Sequence, residues 1–270
     1  YQATQEEKYS TRGRAHLLHE MVRGEVIKDG WDNKAIVDSF EHCLSCKACK
    51  TECPTQVDIA TYKAEFLAAH YAHKRRPLNH YPLAYIGNLL PKISRFSWVF
   101  NKLQAGITGQ LAQKFLGLSD AKGLPKLASQ SFTSWVKKHA HRQDQQFHWF
   151  GPQDQPTVVL WADSVNNHYR PALLQSAVNV LLKSGHQVAV AKQHFCCGRP
   201  LYEYGFLAQA LKQLTVILES FHCKLPAGCS VIVLEPSCLS VFKNELLSAF
   251  PEDTRALDLR KRAKTLTRFL

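Results

Sequence analysis

Residues 157–162, Thr-Val-Val-Leu-Trp-Ala, decide the fold. The run is short, continuously apolar and rich in β-branched side chains, so it reads as a strand buried on both faces. Two similar runs follow, Gln187–Ala191 (QVAVA) and residues 230–234 (SVIVL). Helical patterns lie between and after them, at 172–183, 205–221 and 239–250. Strand alternating with helix predicts βαβ units and a parallel, Rossmann-like sheet over residues 155–270. Ligands of such sheets sit outside the carboxyl ends of the strands. Asp163, Cys196, Cys197 and Cys238 each come just after a predicted strand, which places three thiols and a carboxylate on one rim.

Towards the amino terminus the pattern is helical. Residues 1–40 read as helix, with Ser10 or Thr11 as N-cap and Leu17, Leu18, Met21, Val22, Val26 and Ile27 near helical spacing. Residues 41–57 form a Cys-rich loop. Asp58 is the expected N-cap of a second helix running to about Arg75, before Pro77 and Pro82 break the pattern. Residues 77–150 carry short apolar helical pieces punctuated by Pro91, Pro125 and five glycines, with Trp98 and Trp135 as expected packing anchors. The expected domains are therefore 1–76 (helical), 77–154 (helical connector) and 155–270 (α/β), an α+β chain overall.

Composition narrows the function. The 270 residues are 45% apolar and 21% charged, as for a folded globular chain, but the net charge of +12 is high. No run approaches the ~20 apolar residues of a membrane helix. Nine cysteines are few for a disulfide-built module, and four of them fall within eleven residues; this bunching argues for a reducing, cytoplasmic setting. The chain starts at Tyr1 without a signal-peptide pattern and ends in an expected helix at 263–270, so it is expected to be a piece of a longer polypeptide.

The bunched cysteines are Cys43-x2-Cys46-x2-Cys49-x3-Cys53-Pro54, the spacing of bacterial ferredoxin runs. Three thiolates two residues apart can wrap one face of a cubane while the backbone turns N–H groups towards the sulfurs. The fourth, followed by Pro, leaves that wrap, and in two-cluster ferredoxins it binds the other cluster. A zinc site or free thiols are the alternatives, but zinc sites usually use two Cys pairs separated by a longer spacer. Cys43, Cys46, Cys49 and Cys53 are thus the expected metal ligands. Lys47 and Lys50 are expected at the surface. A second cluster needs a second Cys run, which these residues do not contain.

A weaker motif is His194-Phe195-Cys196-Cys197-Gly198 with Glu235-Pro236-Ser237-Cys238. Cys196, Cys197 and Cys238 are expected to face a cofactor or act in redox chemistry, whereas Cys223 and Cys229 read as small buried hydrophobes. His42 and His194 adjoin the motifs and are read as packing. Arg12 and Arg14 precede the first helix, either near a cluster edge or in surface salt bridges.

Together these motifs resemble the iron–sulfur part of FAD-linked D-2-hydroxyacid dehydrogenases of the D-lactate and D-2-hydroxyglutarate type. The matching stretches are Ser10-Thr11-Arg12-Gly13-Arg14-Ala15, the four-Cys run, Glu65-Phe66-Leu67, residues 196–202 (CCGRPLY) and Gly205-Phe206-Leu207. The resemblance implies a helical ferredoxin-like [4Fe–4S] domain followed by the first half of a Rossmann-like CCG domain. Asp163 stands where that pattern has its first Cys, and Glu235 where it begins C-x2-C. Carboxylates are harder ligands than thiolates.

The resemblance further implies FAD in an upstream part of the same chain and a D-2-hydroxy acid as its substrate. Electrons pass through [4Fe–4S] clusters to a quinone or electron carrier. The fragment alone is then inactive, with no catalytic residue of its own, and is cytoplasmic or peripheral at the inner membrane face. Two rivals remain: a dithiol redox protein using Cys196 and Cys197, and a basic nucleic-acid-binding iron–sulfur protein. The second would use Arg255, Arg260, Lys261, Arg262, Lys264 and Arg268, which otherwise read as a solvated helix face; no base-reading module accompanies them.

Overall fold

The computed structural model describes residue 2 and residues 4–118 and 123–270; Tyr1, at which the start of the chain was read, lies outside them. The chain is mixed α/β. Among the described residues six strands form one sheet in the order β1-β2-β4-β3-β5-β6. They are β1 (Arg142–Gln143), β2 (Phe147–Phe150), β3 (Thr157–Trp161), β4 (Gln187–Ala191), β5 (Ser230–Val233) and β6 (Ala263–Lys264). The strands β4, β3, β5 and β6 are parallel, and the β1–β2 hairpin adds antiparallel to β4.

The apolar runs are continuous because both faces are covered. Val158, Leu160, Val188, Val190 and Ile232 pack with Phe132, Leu174 and Leu181 on one side. Val159, Trp161, Ala189, Val231 and Val233 pack with Phe221 and Phe242 on the other. Alternate residues of each strand thus enter opposite cores, as the period of two requires.

The amino-terminal part packs three helices, Thr11–Arg23, Lys34–Glu41 and Ile59–His70, around Met21, Ile36, Phe40, Ile59, Phe66 and Leu67. Ser10 and Asp58 cap as expected, accepting from the amides of Gly13 (2.9 Å) and Thr61 (3.0 Å). The first helix stops early because Gly24 takes φ 68°, a left-handed C-terminal cap. Val22 and Val26 consequently face solvent. The helix expected to reach Arg75 ends at His70.

Three sequence expectations differ from the structure elsewhere. Trp98 is 71% exposed rather than an anchor, whereas Trp135 stacks between Phe132 and Phe150. Residues 142–150, read as connector, supply the β1–β2 edge. The terminal stretch read as one helix first forms β6 and then a short helix, Leu266–Phe269. A two-residue strand has no periodicity to read; β6 exists because β5 offers a free edge to Ala263 and Lys264.

Candidate functional site

The order of the parallel strands reverses beside β3: the chain passes from β3 to β4 on one side, then to β5 on the other. A crevice opens at the carboxyl ends of such neighbours. Here it is a cavity of about 230 Å3 lined by Asp163 after β3, Cys196 and Cys197 after β4, and Glu235 and Cys238 after β5. The rim expected from sequence is therefore one place. Gly87 closes the cavity from the helical connector; a Cβ there would lie 2.3 Å from Cys196 Sγ.

All nine cysteines are free thiols. The close sulfur pair is Cys197 with Cys238, 3.1 Å apart. Its contact with Cys197, and then burial, push the Cys196 thiol well up. For Cys197 the contact with Cys196 pulls down, but the Cys238 thiol and burial outweigh it, and that thiol too sits well above its ordinary value. Both carboxylates in the cavity are engaged as helix caps. Asp163 accepts from the Asn166 amide and side chain at 2.8 and 2.9 Å, and Glu235 from Ser237 Oγ at 3.0 Å. Two thiols whose ionisation is disfavoured and two carboxylates already engaged as caps fit an iron–sulfur cluster poorly.

The four-Cys loop lies directly beside this cavity, and Leu44 lines it. Its backbone is tightly kinked: Ser45, Lys47 and Gln56 adopt φ of 51°, 61° and 54°, uncommon for residues other than glycine. Cys43 and Cys49 pack at the edge of the amino-terminal core, and Cys46 is exposed. Cys53 Sγ lies 3.1 Å from Thr55 Oγ1. The Thr55 hydroxyl, with the backbone N–H groups of Val57 and Thr55, holds the Cys53 thiol below its ordinary value. Ser45 Oγ is buried without a hydrogen-bond partner. Four thiols, the backbone N–H groups that meet Cys53 and an orphaned hydroxyl on one loop suit a thiolate-bound cluster. Among the described residues, no three His, Cys, Asp or Glu side chains converge where a metal ion could sit.

A buried charge cluster clamps the loop to the sheet domain. Lys47, expected at the surface, is 4% exposed and bonds Asp58 at 3.0 Å. Burial pushes the Asp58 carboxyl up, but Lys47 and the Thr61 amide outweigh it and hold it below its usual value. Glu245 approaches Lys47 at 3.7 Å and Arg199 at 3.0 Å. Arg199, two residues after Cys197, also donates to the Ser45 carbonyl. Lys63 donates to the Cys43 carbonyl at 2.8 Å. None of these residues was marked as functional by sequence reasoning; only the C-C-G-R string hinted at Arg199.

Other expected residues resolve plainly. Arg14 is buried and holds the Ser39 carbonyl at 2.7 Å, a structural role, while Arg12 is exposed. His42 packs on Tyr9. His194 bonds the Gly87 carbonyl at 3.0 Å. Cys229 is buried, but Cys223 is exposed rather than in the core. In the basic carboxyl-terminal segment Arg255 pairs with Asp253 and Arg262 with Asp258.

His168, 3% exposed, is pushed down to about 4 by burial and then by the nearby His194. Folding favours its neutral form, so its stability contribution is present above about pH 6.5, the unfolded value. It is lost as pH falls through that value towards 4. The chain is expected to lose roughly 2–3 kcal/mol more than a His168→Gln variant between pH 7 and about 4.5. Urea midpoints at the two pH values check this; equal losses would refute it.

Comparison with known proteins gives relatives at low identity. A D-2-hydroxyglutarate dehydrogenase of Pseudomonas putida is 23% identical over 280 residues, covering 91% of this chain and 27% of that protein. That of Escherichia coli K12 is 22% identical over 222 residues, 81% of this chain and 21% of that protein. A subunit of the anaerobic glycerol-3-phosphate dehydrogenase of the same strain is 27% identical over 162 residues, 60% of this chain and 38% of that protein. The chain spans about a quarter of the length of the first of these relatives. No protein-family profile matches it, and no solved structure does. Its similarity is to dehydrogenases.

Proposed function

We propose that the chain is the electron-transfer module of an FAD- and iron–sulfur-dependent D-2-hydroxyacid dehydrogenase. The observation that carries this reading is the four-thiol loop 43–53, clamped by Arg199 against the cysteine cavity at the sheet's switch point. Cys43, Cys46, Cys49 and Cys53 would hold a [4Fe–4S] cluster, which when bound supplies one-electron storage at a potential set by its surroundings. The chain's own part is to present these thiols on one kinked loop. Thr55 and the backbone N–H groups of Thr55 and Val57 lower the Cys53 thiol from its ordinary value, and the clamp fixes the loop backbone. FAD and the hydroxyacid belong to the rest of the longer protein, and a quinone or electron carrier receives the electrons.

Burial disfavours the dithiol rival. Thiols held protonated are poor nucleophiles, and Cys196 and Cys197 are both pushed up. The basic segment that the nucleic-acid rival would use is partly engaged in internal ion pairs.

The test is iron and acid-labile sulfide content, with EPR after reduction, on anaerobically purified full-length protein. Cys46→Ser, at an exposed position, is expected to remove about four iron atoms and one EPR signal. Colourless, zinc-loaded wild-type protein would overturn the reading.

A further inference from the structure

Residues 66–143 hold twelve Lys and Arg against one carboxylate, Asp120, so this stretch carries +11 of the net +12. Its apolar pattern is inverted as well. The helix Ile107–Leu116 buries Gly109 and Gln113 and leaves Ile107 75%, Leu111 62% and Phe115 53% exposed. Residues four apart share a face, so these three form one outward stripe. The helix Ser97–Gln104 packs beside it and adds exposed Trp98 and Leu103, with exposed Phe96 just before. Lys92, Arg95, Lys102 and Lys114 are exposed around them. A helix of a water-surrounded fold normally turns its apolar stripe inward.

We propose that this helical pair docks on an anionic lipid bilayer, lying in the headgroup region. Exposed Trp, Phe, Ile and Leu among lysines and arginines is the make-up of an interfacial helix, and an anionic leaflet attracts clustered basic side chains. The pair lies on the surface rather than crossing it, because no helix among the described residues is long and apolar enough to span. An apolar face reserved for another part of the same protein has no need of exposed Lys92, Arg95, Lys102 and Lys114 with no carboxylate on either helix; the charge decides for lipid. The inference stands apart from the cluster assignment.

Full-length protein should be sedimented with vesicles of phosphatidylcholine plus phosphatidylglycerol, and with vesicles of phosphatidylcholine alone. Binding to the anionic vesicles is expected to be at least about tenfold tighter and to weaken with added salt. The double variant Ile107→Gln/Leu111→Gln is expected to lose binding with an unchanged thermal midpoint, since both side chains are exposed. Lys102→Gln/Lys114→Gln is expected to lower the preference for anionic lipid. Equal sedimentation with both vesicles, or with neither, overturns the proposal. So does a fall of several degrees in the double variant's midpoint, which would place the face against another part of the protein.

Discussion

Replacing Glu245 by Gln is expected to lower the unfolding free energy by about 3–5 kcal/mol, the usual cost of removing one partner from a buried ion pair. Glu245 is 2% exposed and sits between the Arg199 guanidinium at 3.0 Å and the Lys47 ammonium at 3.7 Å. Gln keeps the volume and removes the charge. Lys47 retains Asp58, but Arg199 is left in a dry seam with neutral acceptors alone, the Gln side-chain oxygen and the Ser45 carbonyl, and no countercharge. Urea unfolding should show a lower midpoint at unchanged slope, with little dependence on salt because the cluster is buried. The double variant Arg199→Met/Glu245→Leu should recover most of the loss, since removing both partners leaves no uncompensated charge. A loss below about 1 kcal/mol, or a double variant as unstable as the single, would show that the seam is wet and the clamp weak.

That clamp was invisible in the sequence, and the reason is physical. A buried Lys has no local signature: Lys47 lies in a polar loop, and its partners Asp58 and Glu245 are 11 and 198 residues away. By contrast β3, β4 and β5 were legible because a strand covered on both faces must be apolar throughout. Asp58 was legible as a cap because capping is decided within four residues. The meeting of Asp163, Cys196, Cys197, Glu235 and Cys238 was also legible, since parallel sheets send all their carboxyl ends to one rim. What those carboxylates do there was not: ligand substitution and helix capping use the same residue types, and only the hydrogen bonds from Asn166 and Ser237 distinguish them. Trp98 misled because an aromatic in an apolar pattern is assumed to be inside. The available signal was the near absence of acidic residues around it, a property of some eighty residues rather than of any motif.

The seam beneath the clamp makes the second large prediction. Gly205 takes φ +71°, and a Cβ on it would lie 2.7 Å from the Ala68 amide nitrogen and 2.8 Å from Leu67 Cβ, on the helix Ile59–His70 that follows the Cys loop. Arg76 ties the same turn down, donating to the Tyr204 and Gly205 carbonyls at 2.6 and 2.9 Å with its guanidinium over the Phe206 ring. Gly205→Ala therefore meets two costs: a left-handed conformation for a non-glycine residue, about 1 kcal/mol, and overpacking against backbone that cannot swing aside, about 1–3 kcal/mol. A total near 2–4 kcal/mol is expected from denaturant unfolding. Gly228→Ala separates the two, because Gly228 has φ +68° but no atom within 4 Å of where the added methyl carbon would sit; it should show only the first cost. Equal losses in the two variants would mean that the helix does not press on this turn. A larger loss at Gly205 would mean that the helix following the Cys loop is seated on this turn by direct backbone contact, which fixes the loop against the sheet domain from a second side.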